Sequence, residues 1–313
     1  MRADQIKTFY RAEQAISSEE PLNDSRSPEK SKLILEKISQ EGIHEAFTIE
    51  GNFPPFSRDD FLLAHEPSYV DAFLNGRRPL CESNNLKWNT GLVEAVSYSN
   101  SSLYHSIKHT ILNPDQITLS PTSGFHHATP SKGGGFCTFS GQVIAALKIF
   151  KEFQISGAFL DLDGHFGNSI EDSRQYCPEL NYAIPKGCNI NPQGTGREYL
   201  AHFRTQLKDL YQRVMDYEIG YVVFCHGADS HIDDDRGGQC STAEWIECSK
   251  LFYEWLRDVD TTRGQPLPCS LALFGGYRKD NYDEVLGLHL ADLEQCLRIA
   301  CRRDVVRRSM KPS

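Results

Sequence analysis

The chain has 313 residues, 39% hydrophobic and 24% charged, the composition of a globular protein that can bury a core against the entropy of its chain. Its 33 basic and 42 acidic residues leave a net charge of −9, which offers no basic footprint for nucleic acid and suits cationic substrates weakly. No stretch approaches the roughly 20 apolar residues of a membrane span, and the first residues lack the apolar run of a secretory signal, so a cytoplasmic protein is expected. Ten cysteines without any Cys-x-x-Cys pair are then expected to be reduced and structural, Cys137 and Cys225 included.

Residues 15–30, rich in Ser, Glu, Asp and Pro, predict a mobile entry loop. Ser27-Pro28 reads as a helix start, with Leu33, Ile34 and Ile38 following at helical spacing. Short helices are expected over 59–63 and 69–74. A longer one over 90–112 carries Val93, Val96, Leu103, Ile107 and Ile111 on one face, and Pro114 closes it. From there apolar runs alternate with amphipathic stretches. Strands are predicted at 117–119, 158–160, 221–224 and 270–274, and helices at 138–152, 197–215, 241–256 and 280–301, the third opened by a Ser241-x-x-Glu244 capping box. Alternation of this kind predicts an α/β fold, one parallel sheet covered on both faces, with every strand's carboxyl end on the same side. That end is the expected ligand crevice. His126 and His127 follow the first of these strands, Asp161, Asp163 and His165 the second, Asp229 and His231 the third, and Gly275-Gly276-Tyr277 the last.

Asp163 and His165 are one residue apart, so in an extended segment both side chains leave on one side and can share an ion. Asp229 can supply a third ligand, and two carboxylates with one imidazole and an open position describe a catalytic zinc or similar divalent ion. Taken alone, Asp-x-His is also readable as an acidic strand end with a satisfied core histidine, and Asp233-Asp234-Asp235 reads as a solvated loop. Hydrolysis of an amide at neutral pH needs a hydroxide-like nucleophile. A metal lowers the pKa of bound water from about 15.7 to about 7, which removes about 12 kcal/mol of ionisation cost. Paired histidines could hold that water and protonate the leaving amine, although a His-His dipeptide alone is commonly structural. A phenol such as Tyr277, carried inward by a Gly-Gly turn, could polarise the carbonyl; alone, Gly-Gly-Tyr is merely a turn.

Taken together, Gly124-Phe125-His126-His127-Ala128, Gly135-Phe136-Cys137, Asp161-Leu162-Asp163-Gly164-His165-Phe166-Gly167-Asn168, Gly227-Ala228-Asp229-Ser230-His231 and Gly275-Gly276-Tyr277 resemble the histone deacetylase superfamily, which includes deacetylase-like amidohydrolases and acetylpolyamine amidohydrolases. The resemblance implies an arginase-deacetylase-like sheet of about eight strands. It implies a mobile segment over 1–26, a catalytic domain over 27–305 and a tail over 306–313. It further implies Zn2+ held by Asp163, His165 and Asp229, with His126 and His127 as the tandem histidines, paired with Asp161 and Asn168 respectively. His127 would be the general base and acid, and Tyr277 the carbonyl-polarising phenol. Gly135 and Phe136 would line the substrate channel, and a structural potassium ion would sit beside Asp161. The expected substrate is an acyl-lysine peptide or protein, or another acylated amine such as an acetylated polyamine.

Three departures from the pattern shape the remaining expectations. Phe166 stands where the family has a second histidine, outside the metal shell. Residues 169–188 are shorter than the family's corresponding stretch, which implies an open channel and acyl groups larger than acetyl. No counterpart of the family's rim aspartate is identified. The other readings are a binuclear manganese ureohydrolase, which shares the fold but needs more aspartate ligands, and a binding module of the same fold whose turnover is weakened.

Overall fold

The computed structural model describes residues 2–16 and 26–305. The tail expected over 306–313 and most of the loop expected over 15–30 lie outside the described residues. Seven strands form one sheet: β1 (Ile6–Phe9), β2 (Phe47–Glu50), β3 (Ile117–Ser120), β4 (Gly157–Asp161), β5 (Asn189–Ile190), β6 (Tyr221–Cys225) and β7 (Cys269–Ala272). Their order is β2-β1-β3-β7-β6-β4-β5, and every pairing is parallel. The helices are α1 (Lys30–Gln40), α2 (Arg58–Phe61), α3 (Pro67–Leu74), α4 (Thr90–Leu112), α5 (Gly141–Phe153), α6 (Ser169–Ser173), α7 (Leu180–Ala183), α8 (Arg197–Met215), α9 (Thr242–Arg263) and α10 (Tyr282–Gln295). The fold is therefore the α/β class expected, and the seven strands among the described residues come close to the expected eight.

Each central strand is buried along its whole length, which is why β3, β4, β6 and β7 read as unbroken apolar runs. The two covering layers follow from side-chain alternation. Ser270 of β7 bonds Ser106 of α4, and Val223 of β6 sits in register beside Ser270, so Val223 faces the same layer. Its neighbour Phe224 must point the other way, and it stacks on Phe252 of α9 with ring centroids 4.0 Å apart. Helix α4 meets the sheet through small hydroxyls: Ser102 bonds Ser120 at 2.8 Å and donates to the Phe9 carbonyl, and Ser106 reaches Thr118 at 2.9 Å. Small side chains let the helix approach closely, and the pairing of hydroxyls removes the cost of burying them.

Two expectations need correction. The segment 1–26, expected to be mobile, supplies strand β1, which pairs with β2 on one side and β3 on the other. Four residues with a lysine in the middle carry too little apolar signal to stand out until neighbours satisfy both edges. The helix expected over 280–301 is α10 followed by a wide π turn at Cys296–Ala300. All ten cysteines are buried and unpaired. Among the described residues no helix is long and apolar enough to cross a membrane.

His65 joins the loop after α2 to the helix behind the crevice. Its Nδ1–H donates to the Thr129 carbonyl at 2.9 Å, and its Nε2 accepts the Ser140 amide at 2.9 Å, so the imidazole is held neutral. Burial lowers its pKa from 6.5 to about 4. The unfolded chain binds a proton here between pH 6.5 and 4 and the folded chain does not, so stability falls as pH drops through that window, by on the order of 3 kcal/mol. In urea titrations at pH 7 and pH 4, the stability gap between the wild type and His65→Leu should narrow by about that amount; a constant gap would refute the assignment.

Candidate metal centre

Four of the central strands end side by side, and the loops that leave them are stitched together by backbone bonds. Leu162 N donates to the Cys225 carbonyl at 2.8 Å, Ala228 N to Gly275 at 2.9 Å, Leu273 N to Thr122 at 3.1 Å and Ser169 N to His126 at 2.8 Å. Within this frame Asp163, His165 and Asp229 bring one ligand atom each to within 4.8 Å of one another. His165 Nδ1 lies 3.1 Å from Asp163 Oδ1 and 3.0 Å from Asp229 Oδ2.

Each carboxylate is aimed by an amide from a different loop. Asp163 Oδ2 accepts Gly275 N at 2.8 Å, and Asp229 Oδ1 accepts Gly164 N at 2.9 Å. The other oxygen of each is turned to the shared centre. The approach of the 275 loop leaves no space for a side chain: a Cβ on Gly275 would stand 2.4 Å from the Asp229 carboxylate.

Both aspartates are buried, with Asp229 fully so. Burial, reinforced by the neighbouring Asp163 charge, pushes Asp229 up to about 7. Burial works against Asp163 too, but the His126 charge and the bond from His165 hold it below the usual carboxylate range. Bonds to the two carboxylates raise His165 to about 10. The cluster thus directs a concentrated negative field at Nδ1 of His165, and two oxygens with one nitrogen are a donor set that suits zinc.

The tandem histidines flank this centre with ring centroids 4.1 Å apart. His126 Nδ1 bonds Asp161 Oδ2 at 2.9 Å, and its Nε2 is 3.6 Å from Asp163 Oδ1. His127 Nδ1 bonds Asn168 Oδ1 at 2.8 Å, and Asn168 Nδ2 donates onward to Asp172 at 2.6 Å. Burial disfavours the charged form of His126, but Asp163 and Asp161 outweigh it and raise its pKa to about 9. His127 is driven down to about 4 by burial and then by the charge of His126. The surroundings thus favour the charged form of one ring and the neutral form of the other.

Tyr277 stands beside His165, ring centroids 6.3 Å apart, and against Phe136 at 5.5 Å. Burial, then Asp163 and Asp229, push its phenol well above 10, so it remains a donor. Gly135 packs on the His127 ring, where a Cβ would lie 2.6 Å from the imidazole, and both Gly135 and Phe136 have left-handed backbones, φ 49° and 64°. Phe166 is exposed at the rim. Residues 169–188 carry the two short helices α6 and α7, and the Phe136 ring lies beside Tyr277 and Arg236.

The structure brings all ten candidate residues to one crevice and adds several the sequence did not single out. Gln239 Nε2 holds the Gly164 carbonyl at 2.7 Å, Asn191 Oδ1 holds Gly167 N at 2.7 Å, and buried Lys30 donates to the Phe274 carbonyl. The acidic run expected to be merely solvated is partly an anchor: Asp234 Oδ2 accepts Tyr277 N at 2.7 Å and Asp235 Oδ2 accepts Lys279 N at 3.0 Å. No spacing rule signals such contacts, because they join separate loops. A further donor group among the described residues, His231, Asp233 and Glu284, shares no residue with the first and is filled by the guanidinium of Arg278. A binuclear centre therefore finds no support there.

The family model of the histone deacetylase domain matches residues 24–184, just over half of the chain. That stretch contains His126, His127, Asp161, Asp163, His165 and Asn168, while Asp229 and Tyr277 lie beyond it. Among solved structures, the crystal structure of the HDA15 HD domain superposes with a TM-score of 0.72 at 16% identity, covering 94% of this chain and 90% of that one. At that identity the likeness speaks for the fold alone.

Because Asp234 accepts the backbone amide of Tyr277, Asp234→Ala should lower folding stability by about 1.5–3 kcal/mol, the worth of a hydrogen bond to a charged group. Urea titration of the variant beside the wild type tests this; unchanged stability would remove the tethering role of Asp234.

Proposed function

The chain belongs to the histone deacetylase domain family, and from that premise we propose that it is a zinc-dependent amidohydrolase that removes acetyl or larger acyl groups from lysine side chains of peptides or proteins. The observation that carries this reading is the convergence of Asp163, His165 and Asp229 within 4.8 Å beside the His126–His127 pair. These three residues would hold the zinc ion, which when bound supplies Lewis acidity and lowers the pKa of water to about 7.

The remaining steps fall to the chain's own side chains. His127, with Nδ1 committed to Asn168, presents Nε2 to take the proton of the attacking water and return it to the leaving amine. His126, its ring oriented by the bond to Asp161, positions that water. Tyr277 donates to the acyl oxygen as charge accumulates there. Phe136 supports the aliphatic stem, and the bare face of Gly135 leaves the His127 ring accessible. Asp161 is buried, and burial raises its carboxyl; a potassium ion beside it would supply a second compensating charge.

A cavity lined by Leu86, Leu92 and Phe139 together with Asn100, Thr122 and Thr138 borders Phe136 and Tyr277 on the side away from the metal ligands; a graded acyl series decides whether it takes part of the acyl chain.

With purified chain and acyl-lysine peptides of graded length, zinc should co-purify and a hydroxamate should inhibit. Tyr277→Phe and His127→Ala should each cost at least about 100-fold in kcat while circular dichroism and metal content stay unchanged. Normal turnover in either variant would sink the assigned role. An acetylated polyamine assayed beside the peptides separates the alternative substrate, and zinc-loaded protein that binds acyl peptides without releasing product would leave a binding module.

Metal uptake should also be proton-linked. The cation must displace the His165 proton below about pH 10 and the Asp229 proton below about pH 7. Affinity should therefore weaken by ~1 log unit per pH unit from pH 9 to 7 and more steeply below. Calorimetry in buffers of different ionisation enthalpy counts the released protons; a flat affinity from pH 6 to 9 would contradict the assignment.

A further inference from the structure

Among the described residues Arg236 is the one cation over the rings of Phe136 and Tyr277, and the reaction as outlined has no use for it. It follows three aspartates, and in an isolated loop such a guanidinium would pair with its neighbours. Here the acids are engaged elsewhere. Asp234 takes the amides of Tyr277 and of Arg236 itself, Asp235 takes that of Lys279, and Asp233 lies 3.7 Å from Arg278. The Arg236 guanidinium lies instead over two rings, 5.1 Å from the centroid of Phe136 and 5.7 Å from that of Tyr277. Among the described residues it meets no carboxylate, and the side chain is exposed.

Ring faces attract a cation electrostatically, which places the guanidinium across the entrance. They use none of its five N–H donors, and those donors form a planar fork whose best complement is a carboxylate. The surrounding protein, at −9, repels anions at long range, so a carboxylate-bearing substrate needs a local cation to be accepted here. We propose that Arg236 is a specificity residue that reads a carboxylate on the substrate, either at the far end of a dicarboxylic acyl group or on an acidic side chain next to the acyl-lysine. The proposal rests on the amidohydrolase reading of the same site and narrows its substrate class.

The test uses the full zinc-loaded chain and two matched peptide pairs: succinyl-lysine against butyryl-lysine, and acetyl-lysine with a neighbouring Asp against the same peptide with Asn. Equilibrium binding, by fluorescence anisotropy, and kcat/KM are both measured. The acidic member of one pair should be favoured about tenfold, the worth of a charge-assisted bidentate contact, and the preference should shrink as salt rises. Arg236→Gln should erase it, and Arg236→Glu should invert it. Preference within the first pair assigns the carboxylate to the acyl chain, and preference within the second assigns it to the adjoining residue. Equal binding in both pairs, or a preference that survives Arg236→Gln, overturns the proposal. Because binding is read apart from turnover, a charge preference without hydrolysis would retain the role of Arg236 and remove the hydrolase reading. Hydrolysis without preference would do the reverse.

Discussion

Two buried carboxylates aimed at one point are the constraint around which this molecule is arranged. Like charges held apart from water repel strongly, and each would protonate or move away unless the surrounding backbone and an opposing charge compensated it. Asp163 and Asp229 are held by amides reached across from other loops and by Nδ1 of His165. What keeps them in place is the sheet. Strands β4 and β6 are hydrogen-bonded neighbours, with Asp161 in register with Cys225, and the interstrand spacing of about 4.8 Å is the distance over which two departing loops can address one ion.

The rest of the crevice follows from that adjacency. Strand β3 delivers the two histidines and β7 delivers Gly275 and Tyr277, and cross-bonds among the four loops leave little freedom for any ligand to drift. Phe136 and Phe274 both adopt left-handed backbones beside the centre, conformations that non-glycine residues hold only when their surroundings dictate them. The close approach of Gly275 to Asp229 points the same way. Precision here comes from backbone contacts that exclude alternatives, with polar side chains such as Asp234, Gln239 and Asn191 tying each loop to the next.

Electrostatics then separate two residues of identical type. His126 and His127 are adjacent in sequence and in space, yet one leans on a buried carboxylate and the other on an amide. With Asp163 also close to His126, and with burial and the His126 charge acting on His127, one ring favours the charged form and the other the neutral form. The mouth above them is built from Phe136, Tyr277 and Arg236, and its chemistry is set by a loop that begins at Asp229 itself.

Much of this was legible in the residues. The long amphipathic stretch that became α4, the buried runs of β3, β4, β6 and β7, and the Ser241–Glu244 capping box at the start of α9 are local patterns. Periodicity and capping are encoded within a few positions, so sequence determined them without help from distant residues. Polar residues clustered after four strands likewise indicated a shared crevice, because parallel strands end on one side. The tertiary structure alone decided what is not local. Strand β1 exists because both its edges are paired, Asp234 matters because another loop donates to it, and Arg236 lies over the mouth because its acidic neighbours are engaged elsewhere. Such contacts depend on how separate segments meet, and no spacing along the chain records that meeting.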